Sequence, residues 1–310
     1  MRRPLPDMLH AVYVTAPQQV GPLQVFGVRS EGEGCLDYIT LDDALAAGTL
    51  EVTEVSEGGS VPTLRVSNRA GRMVFLMAGE QLVGARQNRV LNASLMMPAH
   101  GELPIPVSCV EAGRWSYRSR RFAGSGTSAH SLLRRQMTRQ VTASYRATGT
   151  PTSEQAAVWN EVSRKLGRMG SRSPSAALYQ AYEDHRDRLA DMLRQLAVPQ
   201  ACCGAAFALG GRIAGLDLFD RPSTLAKLWP KLVGAYAIDA LEGPGSAEAP
   251  VTPEAVCAWL RSAAAAKTES FASPGLGEDV RLEGAGVVGA GLVVEGQPVH
   301  VELFAESGVG

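Results

Sequence analysis

"RMVFLMAGEQLVGARQNRVLNASLMM", residues 72–97, poses the central question of the fold. "MVFLMA" and "ASLMM" are apolar runs of strand length, yet the residues between them include Glu80, Gln81, Arg86, Gln87, Asn88, Arg89 and Asn92. A connection that only reversed the chain would need Gly79 or Gly84 and one Asn, not this density of hydrogen-bonding groups. The polar motif therefore falls at a junction of two strands. It reads either as a recognition site, since amides donate and accept at once, or as a network that satisfies free backbone groups at a bend.

Outward from this motif, the signal up to about Tyr117 is strand-like. "AVYVT", "LQVFGVR", "LEVTEV", "TLRVSN" and "LPIPVSCVE" are short β-branched or apolar runs between Gly, Pro, Asn or acidic turns, and only "LDDALAAG" suggests a helix. From about Thr127 to Leu196 the period becomes helical. Leu133, Met137, Val141 and Tyr145 form one stripe, Thr152 with Gln155 spells a capping box, and Ser173-Pro174 offers a further helix start. Beyond Pro199, "AAFALGGRIAGLDLF" reads as two strands meeting at Gly210-Gly211, residues 223–241 as a helix kinked or bounded at Pro230, and "EGPGSAEAP" as a loop. Thr252-Pro253 opens another helix, and a closing hairpin turns at Glu295-Gly296. Strands and helices are grouped, not alternating, so the class is α+β. The expected organisation is a β-rich part at 1–125, an antiparallel sheet or sandwich carrying the polar motifs, then a helical segment at 126–198 and an α+β part at 199–310.

Composition is that of an ordinary globular chain: 310 residues, 45% hydrophobic, 20% charged, net charge -1. The charge is unevenly spread. Residues 31–57 hold eight acidic residues and no basic one, while residues 112–153 hold eight arginines and no carboxylate. The arginines can attract phosphate or neutralise the acidic segment or a neighbouring copy, so a homo-oligomer is one outcome. Nucleic acid is disfavoured, because no zinc-finger, helix-turn-helix or RNP pattern accompanies them. The N-terminus lacks a secretory pattern and no run approaches the roughly 18 apolar residues of a membrane helix. With five cysteines and no CxxC pair, a cytoplasmic protein with reduced thiols, no membrane partner and no cofactor is expected.

Several motifs dissolve on inspection. "GAGVVG", residues 284–289, spells G-x-G-x-x-G but continues as strand, so glycines at a β-bend are the better reading. "GSGTSAH", residues 124–130, can cradle phosphate at a helix start or serve as a flexible linker. "YEDHRDRLAD", residues 182–191, has helical ion-pair spacing and no metal is called for. Cys109, in "PVSCVEAGRW", is a nucleophile candidate if a cation lowers its pKa and a small core residue otherwise.

"GEQLVGARQNRVLN" followed by "IPVSCVEAGRW" resembles the signature of the ARG and rhodanese-phosphatase-superfamily-associated protein domain, a bacterial and archaeal family of unknown biochemical function. The resemblance extends over most of the chain. It implies a role near ADP-ribose or NAD-derived metabolites through the company the family's genes keep, and it transfers no catalytic residues. The matching positions are Glu80, Gly84, Gln87, Asn88, Arg89, Asn92, Cys109, Glu111, Gly113, Arg114 and Trp115.

The expectation is a pocket between the two motifs for a phosphorylated or nucleotide-derived small molecule such as ADP-ribose. Arg89 and Arg114 would hold phosphate, Gln87, Asn88 and Asn92 would read ribose or base, and Trp115 would stack. In a hydrolase, Glu80 or Glu111 would act as acid or base, with Cys109 as the thiol alternative. The competing expectation is a non-catalytic structural or protein-interaction module, in which the same groups lock the fold.

Overall fold

The computed structural model of the chain describes residues 5–31, 34–242 and 249–306. The loop expected at 242–250 lies mostly outside them. The chain forms two compact units, one of Met1–Cys35, Asp187–Phe271 and Gly277–Gly310, the other of Leu36–Arg186 and Ala272–Leu276. The class is α+β.

The first unit takes α1 (Leu5–His10), β1 (Val12–Val20) and β2 (Leu23–Ser30) from the start of the chain. The second unit then contains β3 (Tyr38–Thr40), α2 (Leu41–Ala46), β4 (Leu50–Glu54), β5 (Thr63–Asn68), β6 (Met73–Leu76), β7 (Glu80–Gly84), β8 (Arg89–Leu91), β9 (Leu95–Met97), β10 (Glu102–Cys109) and β11 (Phe122–Ser128). Its helices are α3 (Ser131–Thr148), α4 (Gln155–Met169) and α5 (Leu178–Asp184). The first unit resumes with α6 (Arg186–Gln195), β12 (Gly204–Leu209), β13 (Arg212–Phe219), α7 (Pro222–Ala240), α8 (Pro253–Ala263), β14 (Lys267–Ala272), β15 (Glu278–Gly284), β16 (Val287–Val294) and β17 (Gln297–Ala305).

In the first unit the strands make one sheet of order β1-β2-β12-β13-β17-β16-β15-β14. The hairpins turn at the expected Gly210-Gly211 and Glu295-Gly296, and all four residues have positive φ. The G-x-G-x-x-G run forms the β15–β16 bend and opening of β16, with Gly284 and Gly286 at positive φ. Phe26, Leu216, Leu218, Val301 and Leu303 pack with Trp259 and Leu260 of α8 in one core. Helix α7 runs unbroken through Pro230. A mid-helix proline costs about 3 kcal/mol. Leu225, Leu228, Leu232 and Tyr236 on the same helix are buried, at roughly 1.5–3 kcal/mol each, and outweigh it.

The second unit has a six-stranded sheet, β11-β7-β8-β10-β5-β4, and a three-stranded one, β3-β6-β9. Period-2 alternation places Leu50 and Val52 of β4, Leu64 and Val66 of β5, and Ile105 and Val107 of β10 in one core with Val74, Leu76, Leu91, Leu95 and Met97. The helical stripe Leu133, Met137, Val141 and Tyr145 is buried on α3.

Three local expectations differ. "GSGTSAH" is neither linker nor cap over its first residues: Phe122–Ser128 is a strand paired with β7, bulged between Gly124 and Ser128, with Gly126 at φ 73°. The capping box does not form, because the Gln155 side chain is drawn to Cys109 and Glu154 takes the N-cap position. The helix expected at Ser173-Pro174 begins at Leu178, since Ser173 Oγ instead accepts the Ala177 N–H in a turn. Among the described residues no helix is long and apolar enough to cross a membrane.

Candidate functional site

The polar motif folds as strand, turn, strand. Glu80–Gly84 is itself a strand, β7, and the reversal occupies the residues up to Asn88 before β8 begins at Arg89. Gly84 is required at the turn: its φ is +124°, and a Cβ there would lie 2.6 Å from Ser119 Oγ and 2.9 Å from the Arg121 carbonyl oxygen. Asn88 closes the turn by accepting the Gly84 N–H at 3.2 Å. Strand β8 pairs antiparallel with β10, Arg89 opposite Cys109 and Leu91 opposite Val107, so the two signature motifs are neighbouring strands.

Most of the predicted site residues are engaged in a buried network. Glu111 accepts the Asn88 N–H at 3.0 Å, the Ser175 hydroxyl at 2.6 Å, and Arg114 Nε and Nη2 at 3.0 and 2.7 Å. Burial alone would raise its pKa, but these donors and the Arg114 charge win and hold the carboxyl below its ordinary value of 4.5. Arg114 Nη1 donates to the carbonyls of Ala85 (2.6 Å) and Ser116 (2.8 Å), and Nη2 reaches the Gly84 carbonyl and Asn88 Oδ1. Its donors are thus spent on the turn. Asn92 donates to the Pro151 carbonyl and accepts from the Ser108 hydroxyl at 2.8 Å. Glu80 Oε2 accepts the Met77 N–H at 2.7 Å, bracing the turn before β7. Cys109 is fully buried, with its N–H and carbonyl both bonded at 2.8 Å to the Gln155 amide, and desolvation pushes its thiol up to about 11.

Arg89, one residue along from Asn88, is different. It is fully buried, and only Nη1 is hydrogen-bonded, to the Gln87 carbonyl (3.2 Å) and Oε1 (3.4 Å). Nη2 faces Glu54 Oε1 at 3.5 Å as an ion pair, while Nε and Nη2 have no hydrogen-bond partner among the described residues. Glu54 is buried too. Its Oε1 accepts the Arg86 N–H at 3.3 Å, and its Oε2 has no hydrogen-bond partner among the described residues. The Arg89 guanidinium lies 5.5 Å from the Trp115 ring centroid, and that of Arg86 lies 5.7 Å from Trp115 and 4.5 Å from Tyr117. Trp115 and Tyr117 are 43% and 48% exposed, so the stack opens to solvent. A cleft of about 610 Å³ opens here, lined by Thr53, Glu54, Ser56, Glu57, Arg86, Tyr117 and Arg120.

The structure therefore places Arg89 behind Glu54, which lines the cleft, with Gln87 and Trp115 beside Arg89. It places Glu80, Asn92, Cys109, Glu111 and Arg114 in the supporting network, with Asn88 among them. Glu54, Arg86, Tyr117 and Arg120 were not singled out as site residues. Glu54 carries a legible signal, because in "LEVTE" it occupies the inward phase of Leu50 and Val52, where a carboxylate is out of place. The acidic and arginine-rich segments do meet in part, through Arg121 and Glu51 at 2.9 Å. Another cleft, of about 370 Å³ in the first unit between α1 and β14–β16, contains none of the motif residues.

The family model of the ARG and Rhodanese-Phosphatase-superfamily-associated Protein domain matches residues 11–304. The chain belongs to that family. The match embraces both units, so the family's unit is the whole assembly of strands and helices and not the polar motifs alone. No curated protein and no solved structure matches the chain. The family name carries a phosphatase-associated context and no ligand or activity.

Proposed function

We propose that the protein binds a small phosphorylated or nucleotide-derived metabolite, of the ADP-ribose or NAD kind, in the cleft beside Arg89, as a cytoplasmic binding protein or as a hydrolase of that metabolite. The observation that carries this reading is the Arg89 guanidinium, buried with two nitrogens lacking hydrogen-bond partners among the described residues. Leaving a buried donor unsatisfied costs about 1–3 kcal/mol, and more for a charged group. Such a cost in a well-packed sheet is characteristic of a site that meets its partner from outside. Arg86 and Arg120 add positive charge at the cleft, and the exposed rings of Trp115 and Tyr117 offer a stacking surface. The phosphatase-associated family context is consistent with this chemistry.

Binding is better supported than catalysis by the three groups considered for a chemical step. A thiol at about 11 is protonated at neutral pH and poorly nucleophilic, which counts against Cys109. Glu111, held ionised by four donor groups, is a weak acid catalyst. Glu80 is tied to the Met77 amide. In this reading all three, with Asn88, Asn92 and Arg114, hold the strands that position Arg89 and Gln87.

The second reading, a structural or interaction module, draws on the same network: Arg114 spends its guanidinium on protein acceptors as fold architecture would. A thermal-shift panel of ADP-ribose, NAD, nucleotides and sugar phosphates separates the two. Ligand present at ~100 Kd adds about 2.7 kcal/mol of stability. A rise in Tm with one class, reduced in Arg120→Ala, supports the binding reading. A flat panel for both proteins sends the search to a protein partner or to self-association.

A further inference from the structure

The cleft offers its ligand more than positive charge. Glu54 Oε2 is an acceptor on a side chain only 3% exposed, with no hydrogen-bond partner among the described residues, and Glu54 lines the cleft. A phosphate or carboxylate oxygen placed against it would be repelled. The group that satisfies it must be a donor.

Two classes of donor are available, an ammonium group or a hydroxyl. An ammonium would sit beside the Arg89 guanidinium, 3.5 Å from the same carboxylate, and beside Arg86, whose backbone N–H is bonded to it. Like charges at that separation are unfavourable in a partly buried site. A neutral hydroxyl satisfies the carboxylate without that penalty, and a vicinal pair can address both its oxygens. Thr53 and Ser56 line the same cleft, and the partly exposed rings of Tyr117, which lines it, and of Trp115, beside Arg86, can cover the apolar side of a sugar ring.

Building on the anion-binding reading above, we infer that the ligand is a sugar phosphate, its hydroxyls held by Glu54 and its phosphate by Arg86 and Arg120, the arginines that line the cleft. Glu54 is then the residue that sets specificity between hydroxylated and deoxygenated anions.

The test titrates the intact chain with inorganic phosphate, ribose 5-phosphate, 2-deoxyribose 5-phosphate, AMP and 2′-deoxy-AMP. The hydroxylated member of each pair is expected to bind about tenfold tighter than its deoxy partner, the loss for one charge-assisted hydrogen bond. Equal affinity within both pairs overturns the inference and leaves the anion reading standing. Binding of none of the five overturns both. The site is located with two variants. Glu54→Gln should bring the ratio within each pair close to one, a readout independent of the fraction folded. Should it fail to fold, Trp115→Ala, an exposed position, must weaken the hydroxylated ligands severalfold, and unchanged affinity there overturns the assignment.

Discussion

Arg114 and Arg89 both hydrogen-bond to one turn, residues 84–88, and have opposite fates. Arg114 reaches four carbonyl or amide oxygens and both oxygens of Glu111, and its partner is in turn bonded by Asn88 and Ser175. Arg89 is buried more deeply, yet among the described residues two of its nitrogens, and one oxygen of the Glu54 carboxylate it faces, have no hydrogen-bond partner. The difference teaches how to sort a dense polar motif. Residues whose valences are exhausted by backbone groups are holding the chain, whereas a buried charge with valence left over is positioned for something else. Adjacent residues, Asn88 and Arg89, fall into different classes.

The largest effect is expected where the exhausted network is cut. Glu111→Ala would strand Arg114 and the Asn88 N–H, at about 3–5 kcal/mol, read as a shift of the urea midpoint. The pH dependence follows with a definite sign. Because the folded-state pKa of Glu111 lies below the ordinary 4.5, its stabilisation is complete above that value and is lost as pH falls through the folded pKa. Melting temperature should therefore fall on acidification below about 4.5, and the Glu111→Gln variant should show a flatter acid limb. An unchanged limb would remove Glu111 from the network's energetics.

Gly84→Ala comes next. A side chain at φ +124°, with a Cβ 2.9 Å from a backbone oxygen, should cost about 1–3 kcal/mol by denaturant titration. A neutral result would mean the turn relaxes freely and does not fix Arg89. Trp115→Ala, on the open side of the comparison, should change stability by no more than about 0.5 kcal/mol, since its ring is 43% exposed. A large loss would make Trp115 architecture after all. The smallest expected effect is a null: iodoacetamide at neutral pH should leave Cys109 unlabelled in the native protein while reaching the exposed Cys35. Native labelling of Cys109 would reopen thiol chemistry.

Much of this was legible in the sequence, and the exceptions have physical causes. Strands such as β4, β5 and β10 announce themselves by alternation, and α3 by its four-residue stripe. Strands β7 and β11 do not, because β7 opens with Glu80-Gln81 and β11 carries Gly124 and Gly126, compositions that local propensity assigns to bends and linkers. The helix starts were displaced where a capping side chain was claimed elsewhere, Gln155 by Cys109 and Ser173 by a turn. The pairing of β2 with β12 joins segments far apart in the chain and leaves no local trace.

The site was legible as an excess of polar residues and no further. Whether Arg89 or Arg114 is the spare charge depends on Glu54 and Ser175, which come from distant segments and fold beside the motif.

The most direct test of the central claim, that the Arg89–Glu54 pair is for a ligand and the Arg114–Glu111 pair for the fold, is a calorimetric titration of wild type and Trp115→Ala with ADP-ribose. The expected result is saturable binding to wild type and affinity weakened about tenfold in the variant, at unchanged melting temperature, as loss of one stacking surface entails. Equal affinity in the two proteins, or no heat of binding in either, would contradict it.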